Sequence, residues 1–134
     1  MSKLEGKEVL GKNDKFDLEE RLINFAVRII RAAESLPKTV VGKHIGGQII
    51  RSGTSPAANY GEAQGAESRS DFIHKIKICL KELRETRIWL LMIVKASLTK
   101  PASKLDPLIN ENNELISIFV TSTKTAKQQN RKRS

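Results

Sequence analysis

Apolar residues recur along most of this chain at three- and four-residue steps, the period of a helix with one buried face. Leu22, Phe25, Ile29, Ala33 and Leu36 form the first such stripe. Asp17 is placed to cap its start, with Glu19 and Glu20 in the first turn, where negative charge is favoured. Pro37 closes it, because the residue before a proline is biased away from helix.

The second segment is apolar at Val40, Val41, Ile45, Ile49 and Ile50, yet six of the eight glycines lie between Gly42 and Gly65. Each glycine weakens a helix by roughly 1 kcal/mol relative to alanine. Four small residues nevertheless fall four apart: Gly53, Ala57, Gly61 and Gly65. On a helix they form one smooth ridge, along which a neighbouring helix can approach closely. The spacing predicts a helix over 40–64, kinked near Pro56, which removes one backbone hydrogen bond. Two short helices joined at Ser52–Ser55 are the alternative.

The third segment is the most regular. Phe72, Ile76, Cys79, Leu83, Thr86, Leu90 and Ile93 keep a 4-3 spacing, widened by Ile73, Leu80, Leu91 and Val94. Ser70 is the expected cap, and Asp71 adds negative charge at the start. Lys75, Lys77, Lys81, Arg84 and Glu85 fill the solvent face. Near residues 88–94 the helix is apolar all round, which points to burial against another subunit as well as the core. A loop at Thr99–Lys104 precedes Asp106 and Pro107, a cap residue followed by proline in the first turn. Leu108, Ile109, Leu115, Ile116, Phe119 and Val120 make the fourth stripe. No segment alternates as a strand does. The expected fold is all-α: an antiparallel up-down four-helix bundle over residues 16–123, with a flexible segment at 1–15 and a basic tail at 124–134.

Charge changes this picture. Against 15 acidic residues stand 24 Lys and Arg, a formal net charge of +9 in 134 residues. The segment Thr121–Ser134 holds Lys124, Lys127, Arg131, Lys132 and Arg133 and no acid, so more than half the excess sits in the tail. Such an arm either stays solvated or binds phosphate backbones without sequence preference. Of six aromatics, four lie on apolar stripes, which gives little support to a base-stacking platform. No run of about 18 apolar residues and no apolar signal-peptide core is present, so the expected place is the cytoplasm, away from membrane.

Candidate chemistry is thin. The run GGQIIRSGTS lacks the Gly-Lys-Ser/Thr ending of a phosphate loop and follows no strand. Asp71 and His74 have the i, i+3 spacing of a bundle metal ligand pair, but a dinuclear site needs a second pair and two more carboxylates. His44 is isolated beside Lys43, and Ser97 and Lys100 share a serine–lysine spacing only in a loop. Cys79, the lone cysteine, falls on the core stripe, where a thiol acts as a small hydrophobe. No catalytic residue, metal or cofactor is expected. Arg51, Asn59, Glu62, Glu82 and Arg84 lie near faces that should be partly buried, and buried charges need partners. Arg51 or Arg84 is therefore expected to pair with Glu62 or Glu82.

Two stretches, RSGTSPAANYGEAQGAESRSDFIHKIKICLKELRET (Arg51–Thr86) and NELISIFVTSTKTAKQ (Asn113–Gln128), resemble the bacterial four-helix bundle proteins known as large-subunit ribosomal RNA intervening-sequence proteins. The SLPKT turn (Ser35–Thr39) also fits, and the resemblance runs from Phe16 to Gln128. It implies an antiparallel four-helix bundle assembling as a ring-like homopentamer. Some members are encoded inside insertions of ribosomal RNA genes. A distant relative, the accessory protein of diversity-generating retroelements, binds nucleic acid and a reverse transcriptase. The family pattern covers Arg51, Ser52, Asn59, Glu62, Asp71, His74, Glu82 and Arg84, none of them a catalytic position. Pro56 departs from the pattern, standing where many members carry an aliphatic residue. Taken together, the residues and the resemblance lead to a non-enzymatic, oligomeric protein that binds RNA or DNA through a basic surface and tail. The alternative is a protein-interaction adaptor whose tail only aids solubility.

Overall fold

The structure, a computed structural model, describes residues 12–133. Four helices follow one another: α1 (Lys12–Glu34), α2 (Val40–Gln64), α3 (Arg69–Lys95) and α4 (Asp106–Arg133). A short 3-10 turn, Ala102–Leu105, leads into α4. No strand occurs among the described residues. The short connections make neighbours antiparallel, so the molecule is an up-down four-helix bundle.

Each helix turns its stripe inward. Leu22, Phe25 and Ile29 of α1, Ile49 of α2, Ile76, Leu83, Leu90 and Ile93 of α3, and Leu115 and Phe119 of α4 are almost wholly excluded from solvent. The Tyr60 and Phe119 rings meet edge-to-face across the core, 6.0 Å apart. The α1–α4 seam is the loosest, and Arg21 clamps it. Its guanidinium donates to both Glu111 carboxylate oxygens, at 3.0 and 2.8 Å, and to Glu114 at 3.0 Å. This two-pronged contact fixes geometry as well as charge.

α2 runs unbroken through Pro56 as one helix of 25 residues, which removes the two-helix alternative. Its small-residue ridge differs from the expected one. Gly61 is exposed with open space around it, and Gly65 is the residue that ends the helix. The close approaches are instead at Gly42, against the Pro37 backbone, and at Gly53, against Ile29. Gly46 sits on the same inner face, opposite Ala33 and Leu36. The inner face of α2 thus reads Gly42, Gly46, Ile49, Gly53, Pro56, Tyr60, Ala63.

The helix ends also shift. Thr39 caps α2 by accepting the Gly42 amide at 3.0 Å. Ser68, not Ser70, caps α3, accepting the Asp71 amide at 3.0 Å, and Ser70 lies inside the helix. Both caps satisfy an orphan first-turn donor. α1 begins at Lys12, so Asp17 lies within it and not at its start. The flexible segment expected at 1–15 is therefore helical from Lys12 onward, and its first eleven residues lie outside the described residues. α4 likewise continues to Arg133 where a loose tail was expected. Thr123 and Ala126 are buried and extend the stripe of Leu115 and Phe119, so the bundle still holds this segment.

Candidate nucleic-acid interface

On the last turns of α4, Thr123 and Ala126 face inward, while Lys124, Lys127, Arg131 and Lys132 are exposed. Lys124, Lys127 and Arg131 follow at steps of three and four and so share one face of the helix. The side chain of Arg133 lies outside the described residues. Cationic residues are favoured here by the negative end of the helix dipole. Arg69 of α3 donates to the Gln129 side chain at 3.1 Å and ties this end to the bundle. The result is a rigid row of cations, a geometry suited to tracking phosphates.

The family-pattern residues gather elsewhere, along the α2–α3 seam. The Arg51 guanidinium bonds Glu82 Oε1 at 3.1 Å and also pairs with Glu85. Trp89 Nε1 donates to the same Glu85 carboxylate at 2.9 Å, and the His44 ring meets Trp89 edge-to-face. Glu82 is only 7% exposed, so Arg51 neutralises a buried carboxylate. Below it, Ser52 and Thr86 are both fully buried. Thr86 donates to the Glu82 carbonyl at 2.8 Å, and the Ser52 hydroxyl lies 2.8 Å from Thr86 Oγ1, placed to donate to it. Glu62 pairs with Lys75 at 2.7 Å nearer the other end. Asn59 turns back on its own helix, donating to the Ser55 carbonyl and hydroxyl at 3.0 and 2.8 Å. The contacts of Arg51, Ser52 and Glu62 with α3 set the register of the two helices.

Arg84 is the exception. It is exposed and lies across α3 from Arg51. With Arg87, Ile88, Asn113, Ile116 and Ser117 it lines an open groove of about 540 Å³ between α3 and α4. His74 is exposed, and Asp71 sits in the first turn of α3. Among the described residues no three His, Cys, Asp or Glu side chains converge to hold a metal ion. The apolar stretch of α3 is only partly covered. Leu90 and Ile93 are buried, whereas Ile88 and Met92 remain 47% and 44% exposed.

Two buried groups make stability depend on pH. Burial pushes the Cys79 thiol from its ordinary 9.0 up to about 12. Burial, helped by the charge of Glu19, pushes the Tyr60 phenol from 10.0 to about 12. Both stay neutral in the folded chain, whereas the unfolded chain ionises them first. Their contribution is complete below about pH 9 and falls as pH rises toward about 12. Denaturant unfolding should therefore be flat from pH 7 to 8.5 and weaken steadily above pH 9. Cys79→Ala and Tyr60→Phe should each flatten that decline, and a decline unchanged in both variants would contradict the assignment. Native Cys79 should also resist thiol reagents at pH 8 until the chain unfolds.

The comparisons with known proteins bear on this arrangement. The model of the 23S rRNA-intervening sequence proteins matches residues 14–121, most of the chain. The chain belongs to that family. It is also similar to a crystal structure from Bacteroides thetaiotaomicron, of a protein of unknown function from the S23 ribosomal protein family. The two share 32% identity over 82% of this chain and 97% of the other, with a TM-score of 0.70. No curated protein matches the chain. The family match ends at residue 121, just before the basic turns of α4. The family's bundle thus contains the α2–α3 polar seam, whereas the cationic row, from Lys124 on, lies wholly beyond the matched segment.

No helix among the described residues is long and apolar enough to cross a membrane. Sequence reasoning pointed to Arg51 and Glu82 because charges near a small-residue face need partners. It missed Glu85 and Trp89, assigned to the solvent face and to the apolar run. It also missed the Arg21 clamp, whose partners stand 90 and 93 residues away and leave no local signal.

Proposed function

We propose that this protein is a non-enzymatic, cytoplasmic homo-oligomer, a pentamer by family resemblance, that binds RNA or DNA through its basic surface. The observation carrying this reading is the exposed cationic row of Lys124, Lys127, Arg131 and Lys132 on a helix held rigid by its buried inner face. Rigid placement lowers the ordering cost that a loose arm would incur on binding. Each contacted phosphate releases condensed counterions, so affinity comes from charge and not from base readout. Assembly multiplies the row, and several copies acting on one backbone convert weak contacts into tight ones. The exposed Ile88 and Met92 of α3 support assembly, because an apolar surface of this kind is commonly covered by a partner. The residues of the α2–α3 seam act by holding the bundle in register, with no chemical role of their own.

A second reading is favoured by the α3–α4 groove. Its apolar floor of Ile88 and Ile116, flanked by Arg84 and Arg87, suits an acidic amphipathic segment of a partner protein. Purification from cells without nuclease separates the two. The expected result is an assembled mass by light scattering and excess absorbance at 260 nm that high salt removes. Recovery of one protein partner, unaffected by nuclease and with no nucleic acid, would favour the adaptor.

A further inference from the structure

Two exposed rows on different helices match each other residue for residue. On α1, Glu20, Val27 and Glu34 stand seven apart, and on α3 Lys81, Ile88 and Lys95 do the same. Seven residues make almost two turns, so each triplet lies along one face of its helix. All six are exposed, on the side of the helix away from its buried stripe. One row reads acid, apolar, acid, and the other base, apolar, base. Glu20, Glu34 and Lys95 make no ion pair among the described residues. Lys81 reaches only Glu82, at 3.8 Å, a carboxylate that Arg51 already holds.

The rows cannot meet within one chain. α1 and α3 both pack on α2 and α4, so they stand diagonally across the bundle and their outer faces look in opposite directions. They run the same way, and each row ends on the last residue of its helix, Glu34 or Lys95, at the same end of the bundle. An α1 row can therefore lie along the α3 row of a parallel second copy with little shift along the axis. Without such a shift a head-to-tail contact repeats around a ring, whereas a shifted one climbs into a filament. An antiparallel alignment would pair the same charges but needs a two-fold axis, on which both rows of each copy must meet at once. Rows on opposite sides of the bundle cannot do so. The surroundings fit as well. Ile23 and Met92, both exposed, flank the apolar centres. From residue 19 to 34, Glu19, Glu20 and Glu34 outnumber Arg28 and Arg31, since Arg21 is held by Glu111 and Glu114. From residue 77 to 95, α3 carries five bases, and its two acids, Glu82 and Glu85, are taken by Arg51. The faces are thus opposite in sign, which steers encounter and fixes register.

We infer that the α1 row of one copy docks on the α3 row of the next, pairing Glu20 with Lys81, Val27 with Ile88 and Glu34 with Lys95. The inference rests on the proposed homo-oligomer and names the two faces that build it. The apolar centres supply burial, and the charges at either end choose partner and orientation, as flanking charges do between paired helices. Docking also covers Ile88, one lip of the α3–α4 groove.

The experiment measures the mass of the full chain by light scattering across a dilution series, with circular dichroism to confirm helix content. An α1 variant (Glu20→Lys, Glu34→Lys) and an α3 variant (Lys81→Glu, Lys95→Glu) should each raise the concentration at which assembly sets in by about tenfold or more, since every contact exchanges two attractions for two repulsions. The α3 variant lowers the net positive charge, so general self-repulsion would predict better assembly, the opposite of docking. One chain carrying all four changes has complementary rows again at the wild-type net charge, and should assemble as wild type does. On oxidation, Glu20→Cys with Lys81→Cys should link neighbouring chains, and Glu20→Cys with Lys95→Cys should not. A wild type that stays at the 15.0 kDa of one chain overturns the oligomer and this docking with it. An assembled wild type with both single-face variants unaffected overturns the docking and leaves the oligomer standing. Failure of the fourfold variant to recover assembly, or linkage through positions 20 and 95 instead of 20 and 81, overturns the pairing.

Discussion

Gly42→Ala and Gly53→Ala should each destabilise the bundle, whereas Gly47→Ala and Gly61→Ala should stabilise it. Helix propensity alone would favour alanine at all four by up to about 1 kcal/mol, since all lie inside α2. The surroundings divide them. A Cβ on Gly53 would stand 2.7 and 2.8 Å from the two γ carbons of Ile29, which is itself fully buried. Those carbons are next to the backbone and cannot swing aside, so α1 must move off α2. Overpacking of this kind costs about 1–3 kcal/mol, enough to outweigh the gain in propensity. A Cβ on Gly42 would land on the Pro37 carbonyl oxygen and force the α1–α2 connection apart. Backbone yields less readily than a side chain, so Gly42→Ala should be the worst of the set, at about 3 kcal/mol. Gly47 and Gly61 have nothing within 4 Å of an added Cβ and should gain about 0.5–1 kcal/mol. Denaturant midpoints of the four variants measure this directly. Stabilisation at Gly53 would show that the two helices do not meet there.

These glycines also show where sequence reading stops. The 4-3 stripe of α3 was legible almost residue by residue: Ile76, Cys79, Leu83, Thr86, Leu90 and Ile93 are all buried. Each carries a side chain whose polarity declares a face. Glycine declares none, so a four-residue spacing from Gly53 to Gly65 looked like a ridge, while the real contacts run from Gly42 to Gly53. Which glycines are covered depends on Pro37 and Ile29, partners that the spacing does not contain. The end of α4 was hidden for a related reason. Thr123 and Ala126 complete the buried stripe but are small or polar, so the apolar signal fades while the helix continues. The cap at Ser68 was displaced to Ser70 because either serine is a competent cap and the backbone decides between them.

The candidate site divides in the same way. The α4 cations were legible because they are contiguous in sequence. The groove flanked by Arg84 and Arg87 was not, because its α3 and α4 walls are brought together only by folding. The pairing of Arg51 with Glu82 followed from charge and expected burial, while Arg84, offered as an equal candidate, points to the opposite side of α3.

Neutralising Lys124, Lys127, Arg131 and Lys132 with glutamine should weaken nucleic-acid binding far more than it alters the fold. All four are exposed, and glutamine is nearly as good a helix former as lysine or arginine. Thr123 and Ala126, which hold this part of α4 in place, are untouched. Other exposed cations, Arg84 and Arg87 among them, remain, so binding should fall by about 10²-fold at moderate salt and not vanish. Truncation after Val120 is a poorer test, because it would also strip Thr123 and Ala126 from the buried stripe.

The steepness of binding against salt is the most direct measure of a phosphate-driven interface. For a duplex, the logarithm of the binding constant falls with the logarithm of salt at about 0.9 per neutralised phosphate. Titration of a short duplex with wild type and with the four-glutamine variant, between low and physiological salt, gives both slopes. The expected result is a steep negative slope for wild type, reduced by up to about 3–4 in the variant if every one of the four cations meets a phosphate. A wild-type affinity that does not change with salt, or identical slopes for the two proteins, would contradict binding through the α4 row.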